Sequence, residues 1–255
     1  MKSIVNNGKV NQEQVKSANR QYYNIAATDY MKNEAYAYTD KIRHDVKEIL
    51  LRHFKPEKNG VFLDVGCGSG FLSKIVIENS LAESCIGVDI SDEQIEIYNQ
   101  TVSQGNAIRC DACDLDLADN SIDYIGGYSV LHHFYDYYKL LNEVERVLKP
   151  GGVMYFDFEP NSIFKKLFHY PIMIRRKLFD QEARGENDLE ALAEYHNNYQ
   201  PGIDMAHMIK HLNLHFDVLE HGARYPDNIS GKIASFFTLK SIRLSPLFYI
   251  VLKKR

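Results

Sequence analysis

The chain has 255 residues, a formal net charge of −4 and an apolar fraction of 45%. That length suits one domain with a large core and some extra helices, and the weak negative charge excludes general affinity for nucleic acid or anionic membrane. Four cysteines are scattered at 67, 85, 110 and 113; Cys110 and Cys113 form a C-x-x-C without a second pair, so they read as core or turn thiols and no metal is expected.

Residues 1 to 10 read as frayed. A helical reading runs from about Asn11 to Phe54, with a break near Ala27-Thr28-Asp29. Ile42, Val46, Ile49 and Leu50 recur at helical spacing, which places the second half against a sheet. The first half carries Tyr22, Tyr23, Tyr30, Tyr36 and Tyr38. Two readings stay open for it: a cover closing over a pocket, and plain amphipathic packing in which each tyrosine buries its ring and keeps a wet tip.

After a polar turn from Lys55 to Gly60 comes Val61-Phe62-Leu63-Asp64-Val65-Gly66-Cys67-Gly68-Ser69-Gly70, then a helix from Phe71. That is the strand, tight turn and helix of a nucleotide-binding βαβ unit. A lone G-x-G-x-G fits a dinucleotide fold, a methyltransferase or a plain turn. Two acids sharpen it. Asp64 stands at the end of the first strand, and Asp89 ends the second, Cys85 to Ile90. A carboxylate at a strand tip can accept from both hydroxyls of a ribose. Ser91 with Gln94 fits a capping box for a helix over about 91 to 103.

Asn106 to Cys110 is a short strand that turns at Asp111-Ala112-Cys113-Asp114-Leu115. Ser121 to Gly126 is the fourth strand and opens into the loop Gly127 to Phe134, with His132 and His133. Tyr137 to Leu148 is a helix, ended by Lys149-Pro150-Gly151-Gly152, and Val153 to Phe158 is the fifth strand. Glu159 to Gln200 breaks the α/β rhythm. Its segments Ile163 to Phe168 and Ile172 to Phe179 are apolar and basic together. They read as a lid helix with solvated Lys and Arg, or secondarily as a membrane contact over 163–179. A helix at Ile203 to Leu212, a strand at His215 to Arg224, a helix at Lys232 to Leu239 and a last strand at Leu247 to Leu252 follow.

Asp64 to Gly70, Asp89, Asp111 to Leu115, and Leu148-Lys149-Pro150-Gly151-Gly152 occur together in one order. In that set, over roughly residues 58–159, the chain resembles a class I S-adenosylmethionine-dependent methyltransferase of the small-molecule, type 11-like group. The resemblance implies an α/β fold: a Rossmann-like, seven-stranded, mostly parallel sheet in the order 3-2-1-4-5-7-6, with an antiparallel last strand and helices on both faces. It divides one structural domain into an N-terminal helical cover (1–57), a cofactor-binding core (58–159), a lid insertion (160–201) and a C-terminal completion of the sheet (202–255). The implied cofactor is S-adenosylmethionine, leaving as S-adenosylhomocysteine. It would be held by Asp64, Gly66, Cys67, Gly68, Gly70, Asp89 and Ile90, with Asp111 and Ala112 at the adenine and Tyr128 in the pocket. Tyr22-Tyr23-Asn24 resembles the tyrosine-bearing N-terminal helix that covers the cofactor in such families, which adds Tyr23.

The chemistry asked of such a site is in-line alignment of acceptor, methyl and sulfur, with water excluded. His133 and then His132 are the general-base candidates, since histidine titrates near neutrality. As sequence neighbours they are expected to face different ways. His207, His211 and His215 are spaced by four, yet no paired carboxylate marks a metal site; they read as a polar helix face. The expected acceptor is a small molecule, a natural product or isoprenoid-like metabolite. Nucleic acid is not expected, since Tyr128-Ser129-Val130-Leu131 replaces the N-P-P-Y type motif and no basic stripe is present. Two other readings are weighed: an inert cofactor-binding scaffold, and a nicotinamide enzyme. Gly70 follows Gly68 by two residues where the dinucleotide turn needs three, which counts against the second. No leader peptide and no membrane-spanning run is visible, so a cytoplasmic protein is expected, in an oligomeric state the sequence does not set.

Overall fold

A computed structural model describes residues 10–29, 34–55, 59–168 and 188–255. The expectations for residues 1–9, Tyr30 and the apolar-basic run Ile172 to Phe179 fall outside these residues. Seven strands form one sheet: β1 (Val61–Val65), β2 (Ser84–Asp89), β3 (Gly105–Arg109), β4 (Ile122–Tyr128), β5 (Leu148–Pro160), β6 (Phe216–Arg224) and β7 (Leu247–Lys254). Their order is β3-β2-β1-β4-β5-β7-β6. The pairs from β3 through β5 are parallel, and β7 runs antiparallel to both β5 and β6. The order expected from the resemblance is the observed one.

The central strands read as near-continuous apolar runs because both faces of the sheet are covered. β4 is buried along its whole length. On one face α2 (Asp40–His53) buries Ile42, Val46, Ile49 and Leu50 in the same cluster as Leu72, Ile75 and Val76 of α3 (Phe71–Glu78). On the other, α5 (Tyr137–Val147) buries Leu140, Leu141, Val144 and Val147 with Met208 and Leu212 of a later helix (Met205–Leu212). The helical face predicted for residues 42–50 is therefore the one that packs.

Two boundaries differ from the sequence reading. β4 continues through Gly127 and Tyr128, which pair with Phe156 and Asp157. β5 begins at Leu148, directly after α5, so Lys149-Pro150-Gly151-Gly152 is the start of a long strand and not a separate turn. The helix still stops where the proline requires, and Gly151 takes the left-handed φ of +80°.

The N-terminal segment is α1 (Gln12–Ala26), opened by a capping box between Asn11 and Gln14. α1 packs on α7 (Asp188–Ala193), which with α6 (Ser162–Leu167) and α8 (Tyr195–Asn198) makes up the described part of the insertion after β5. α4 (Asp92–Thr101) follows β2, α9 is Met205–Leu212, and α10 (Ile229–Phe237) lies between β6 and β7. Among the described residues no helix is long and apolar enough to cross a membrane.

Candidate active site

The sheet order reverses direction between β1 and β4, and open α/β sheets bind ligands in the crevice outside the carboxyl ends of their strands at that point. The protein has a cavity there. Asp64, Gly66, Cys67 and Gly68 line it from the β1 turn, Asp89 and Ile90 from the end of β2. Asp111 and Ala112 line it from the turn after β3, Tyr128 from the end of β4, and Tyr23 from α1. Gly70 stands just behind as the left-handed N-cap of α3, at φ +85°.

The glycine turn has a steric cause at two positions. Gly66 has φ +62°, and a Cβ there would lie 2.2 Å from Val130 Cγ2. Gly68 has φ +48°, with Gln94 Oε1 its nearest neighbour, 3.7 Å from where a Cβ would be. The space beside Gly68 is thus a cradle that a side chain would fill. Gln94, which lines the cavity, has a buried Oε1 with no partner among the described residues. Only the Ser91 arm of the expected capping box forms, Gln94 N donating to Ser91 Oγ at 3.2 Å.

Asp89 accepts from Gly68 N and Ser91 N, both at 2.9 Å. Burial pushes its pKa up, against those two amide bonds. A carboxylate has about four acceptor sites, so one placed at the cavity wall suits a diol. Asp64 is more committed. Ser73 N and Ser73 Oγ donate to Oδ2 at 3.0 and 2.7 Å, and burial raises its pKa to about 7. Cys67 turns its buried thiol toward the Tyr98, Val102 and Ala107 cluster. Asp111 accepts from Cys113 N at 3.0 Å and pairs with Lys16 at 2.7 Å. Tyr128 is buried between Phe71 and Phe158, with ring centroids 4.7 and 5.3 Å away, and its hydroxyl donates to Ala37 O.

α1 covers this edge. Val15, Asn19 and Tyr23 face the cavity. Lys16–Asp111, Arg20–Asp92 at 2.8 Å and Ser91 Oγ to Asn24 Oδ1 at 2.8 Å pin it to the strand-end turns. Exposed pairs of this kind contribute about 0–1 kcal/mol each, so burial of Val15 and Ala18 carries more of the docking.

The two histidines converge, contrary to the expectation that they face different ways. Their ring centroids are 4.0 Å apart. The cause is Glu159, a fully buried residue at the end of β5. It accepts from Val130 N and Leu131 N at 2.8 Å and from His132 N at 3.3 Å, wrapping the turn Leu131–His133 around its carboxylate. His132 Nδ1 lies 2.8 Å from Glu159 Oε2, and its Nε2 lies 3.4 Å from Glu194 Oε2. Burial works against the imidazolium, but the two carboxylates outweigh it and raise the pKa to about 9. His133 is shifted the other way, down, by burial and then by the neighbouring His132 charge.

His133 Nδ1 lies 2.9 Å from Ala193 O, a group that can only accept. The network therefore assigns the proton to Nδ1 and leaves the Nε2 lone pair facing Tyr23 Oη at 3.1 Å. Tyr23 Oη also lies 3.3 Å from Glu194 Oε1. His133 and Tyr23 line the cavity, whereas His132 stands behind it. One histidine held charged beside one held neutral separates a structural role from an acid–base role.

Donor atoms of His132, His133 and Glu194 lie within 4.8 Å of one another, and the hydrogen bonds above already engage each of them. His207, His211 and His215 do not gather. His211 bonds Asn142, His215 bonds Glu145, and His207 stands 3.9 Å from Asp204. Glu159 and Glu194 escaped the sequence reading, as did the Asn19 Nδ2 bond to His133 O at 3.0 Å. The available signal was the acids at 157 and 159 at the end of the apolar run Val153 to Phe158.

The His132 environment gives a stability prediction. Its folded pKa of about 9 exceeds the unfolded value of about 6.5, so its contribution is complete below pH 6.5 and lost as pH rises through 9. The expected thermal midpoint declines across that window. In His132→Asn the decline is shallower, and an unchanged slope would contradict the assignment.

The chain has relatives among known proteins. A family model described as "Methyltransferase domain" matches residues 63–156. A demethylmenaquinone methyltransferase of Staphylococcus aureus is 30% identical over 209 residues, spanning 76% of this chain and 81% of that one. A SAM-dependent methyltransferase of Anabaena variabilis superposes with a TM-score of 0.64 at 19% identity, covering 99% of both chains. The geranyl diphosphate C-methyltransferase of Streptomyces coelicolor superposes with a TM-score of 0.60 at 12% identity, covering 94% of this chain and 97% of that one.

Proposed function

The chain belongs to the class I S-adenosylmethionine-dependent methyltransferases, and we propose that it methylates an electron-rich carbon of a small, apolar, quinol-type acceptor, with Tyr23 and His133 taking the acceptor's proton. One observation carries the proton step: the neutral His133, its Nε2 lone pair on the Tyr23 hydroxyl, at the wall of the cavity that the glycine turn also lines. The acceptor class is inferred from the demethylmenaquinone methyltransferase relative and from the aromatic walls that Phe71, Tyr128 and Phe134 supply.

Bound in this cavity, the cofactor supplies an electrophilic methyl on a sulfonium. Asp89 would accept from the ribose hydroxyls, and the Gly66 to Gly68 backbone admits the ligand closely. Gln94 Oε1 offers one more acceptor. Asp111 and the Ala112 N–H would face the adenine, and Lys16 holds the Asp111 carboxylate charged. Tyr128, wedged among aromatic rings, keeps water from the reacting side. Asn19 and Ala193 hold His133 by its carbonyl and its Nδ1 proton, so the ring cannot turn away. The acceptor hydroxyl gives its proton to the Tyr23–His133 pair as ring-carbon nucleophilicity rises, and Glu194 steadies the relay from the far side. Aromaticity would then be restored as the methylated ring carbon gives its proton to water while the Tyr23–His133 pair returns one to the acceptor oxygen.

The test is transfer from methyl-labelled cofactor to a short-chain demethylated menaquinol, read by product mass. His133→Asn is expected to lower kcat about 10²- to 10⁴-fold, with affinity for S-adenosylhomocysteine kept. In the wild type, kcat/KM falls only below the ordinary imidazole range of about 6.5, because the His133 pKa is lowered, and this acid limb is absent from the variant. Full turnover in His133→Asn would reject the base. No transfer to the quinol by the wild type would reject the acceptor class.

A further inference from the structure

The connection from β6 to β7 carries an apolar face that the proposed chemistry does not use. On α10, Ile233, Phe236 and Phe237 are spaced i, i+3, i+4, so they share one side. They are 53%, 75% and 74% exposed, and Leu239 just beyond is 87% exposed. Scattered exposed apolar residues are ordinary, but two adjacent phenylalanines, an isoleucine and a leucine on one helix end form a contiguous patch. Leu239 and Lys240 both hold left-handed φ, +49° and +56°, at the turn that ends the helix.

Between Asn228, the N-cap of α10, and Pro246 the charged residues are Lys232, Lys240 and Arg243, with no acid among them, within a protein of net charge −4. Lys232 on α10 and Lys240 and Arg243 in the segment that follows it are all exposed. α6 adds the same chemistry, with Leu167 60% and Ile163 40% exposed next to Lys166. It abuts the connection, since Asn161, its N-cap, donates through Nδ2 to Ile242 O at 2.9 Å and through its backbone to Pro246 O at 2.9 Å.

The patch also lies at the edge of the sheet that holds the cavity. β5 and β6 end there, at Pro160 and Arg224, and both pair with Leu247, where β7 begins. Asp227 N donates to Tyr36 O, and the Tyr36 ring lies 6.4 Å from Phe158, which stacks on Tyr128. Aromatic and aliphatic side chains ringed by cations are what an interfacial helix presents to anionic lipid.

We propose that α10 and the turn after it are a membrane-docking element, which seats the carboxyl edge of the sheet on an anionic bilayer. Phe236, Phe237 and Leu239 enter the acyl boundary while Lys232, Lys240 and Arg243 meet lipid phosphates. The docking rests on the patch alone. The use made of it, delivery of a lipid-borne acceptor to the cavity, rests on the quinol reading above.

The full chain is sedimented with phosphatidylcholine vesicles and with vesicles that also contain phosphatidylglycerol. The wild type is expected to pellet with the anionic vesicles, more weakly at high salt, and to stay in solution with the neutral ones. F236S/F237S loses about tenfold or more of that partitioning with an unchanged thermal midpoint, since both rings are exposed in the fold. K232E/K240E/R243E loses the preference for anionic lipid. A wild type that stays in solution with anionic vesicles overturns the proposal, as does binding that F236S/F237S leaves intact. A dimer that F236S/F237S breaks, without vesicle binding, also overturns it and assigns the patch to a second copy. Vesicle binding needs no turnover, so failure of the short-chain quinol assay with docking intact would reject the acceptor class and leave the membrane surface standing.

Discussion

Asp157→Ala is expected to destabilise the protein by about 3–5 kcal/mol, read from urea unfolding at equilibrium. Asp157 is fully buried at the end of β5, and Arg224, at the end of β6, is 7% exposed. Arg224 Nε reaches both carboxylate oxygens at 2.9 and 3.0 Å, and Nη2 reaches Oδ2 at 2.7 Å. Phe158 N donates to Oδ1 at 2.6 Å, and the Tyr155 hydroxyl also donates to the carboxylate. Removing the carboxylate strands a guanidinium, a phenol and an amide in a dry site. Asp45, 3.9 Å from Arg224 and partly exposed, is too distant to replace it. The loss is therefore the cost of an unpaired buried charge and not the net worth of the pair. For that reason Asp157→Ala/Arg224→Met is expected to recover much of the stability. A single-variant loss below about 1 kcal/mol, within the range of an exposed pair, would contradict this account. The backbone of Asp157 also supports the cavity wall, since its carbonyl accepts from Ser129 N at 2.8 Å next to Tyr128.

The sheet and the glycine turn were legible in the sequence for a physical reason. A parallel strand covered on both faces is mostly apolar, and a left-handed position where a Cβ would lie 2.2 Å from a valine methyl must be glycine. Local rules also sufficed for the inner face of α2 and for Ser91 as a cap. The antiparallel β7 came only with the family resemblance, because alternation of elements sets no strand order. The acid–base cluster was half visible. His132 and His133 stand together in the loop, but Glu159 lies 27 residues from His132 and Glu194 belongs to the insertion, and only folding brings four ionisable groups together. The reading that neighbours diverge failed because a buried carboxylate gathered three consecutive amides and bent the turn. Phe236 and Phe237 read as a helix, and periodicity cannot say that their side chains would stay exposed.

The most direct test of the account is calorimetric titration of S-adenosylhomocysteine into the wild type and into Asp89→Ala. Asp89 lines the cavity from the end of β2, and its carboxylate accepts from the amides of Gly68 and Ser91. The alanine variant removes a charged acceptor from a ribose diol, and hydrogen bonds to charged groups are worth about 1.5–3 kcal/mol. Saturable one-to-one binding by the wild type, weakened about 10- to 150-fold in an Asp89→Ala variant that still unfolds in one cooperative thermal transition, is the predicted result. A wild type that binds no S-adenosylhomocysteine, or a variant that binds it equally well, would contradict a cofactor seated on the glycine turn with its ribose on Asp89.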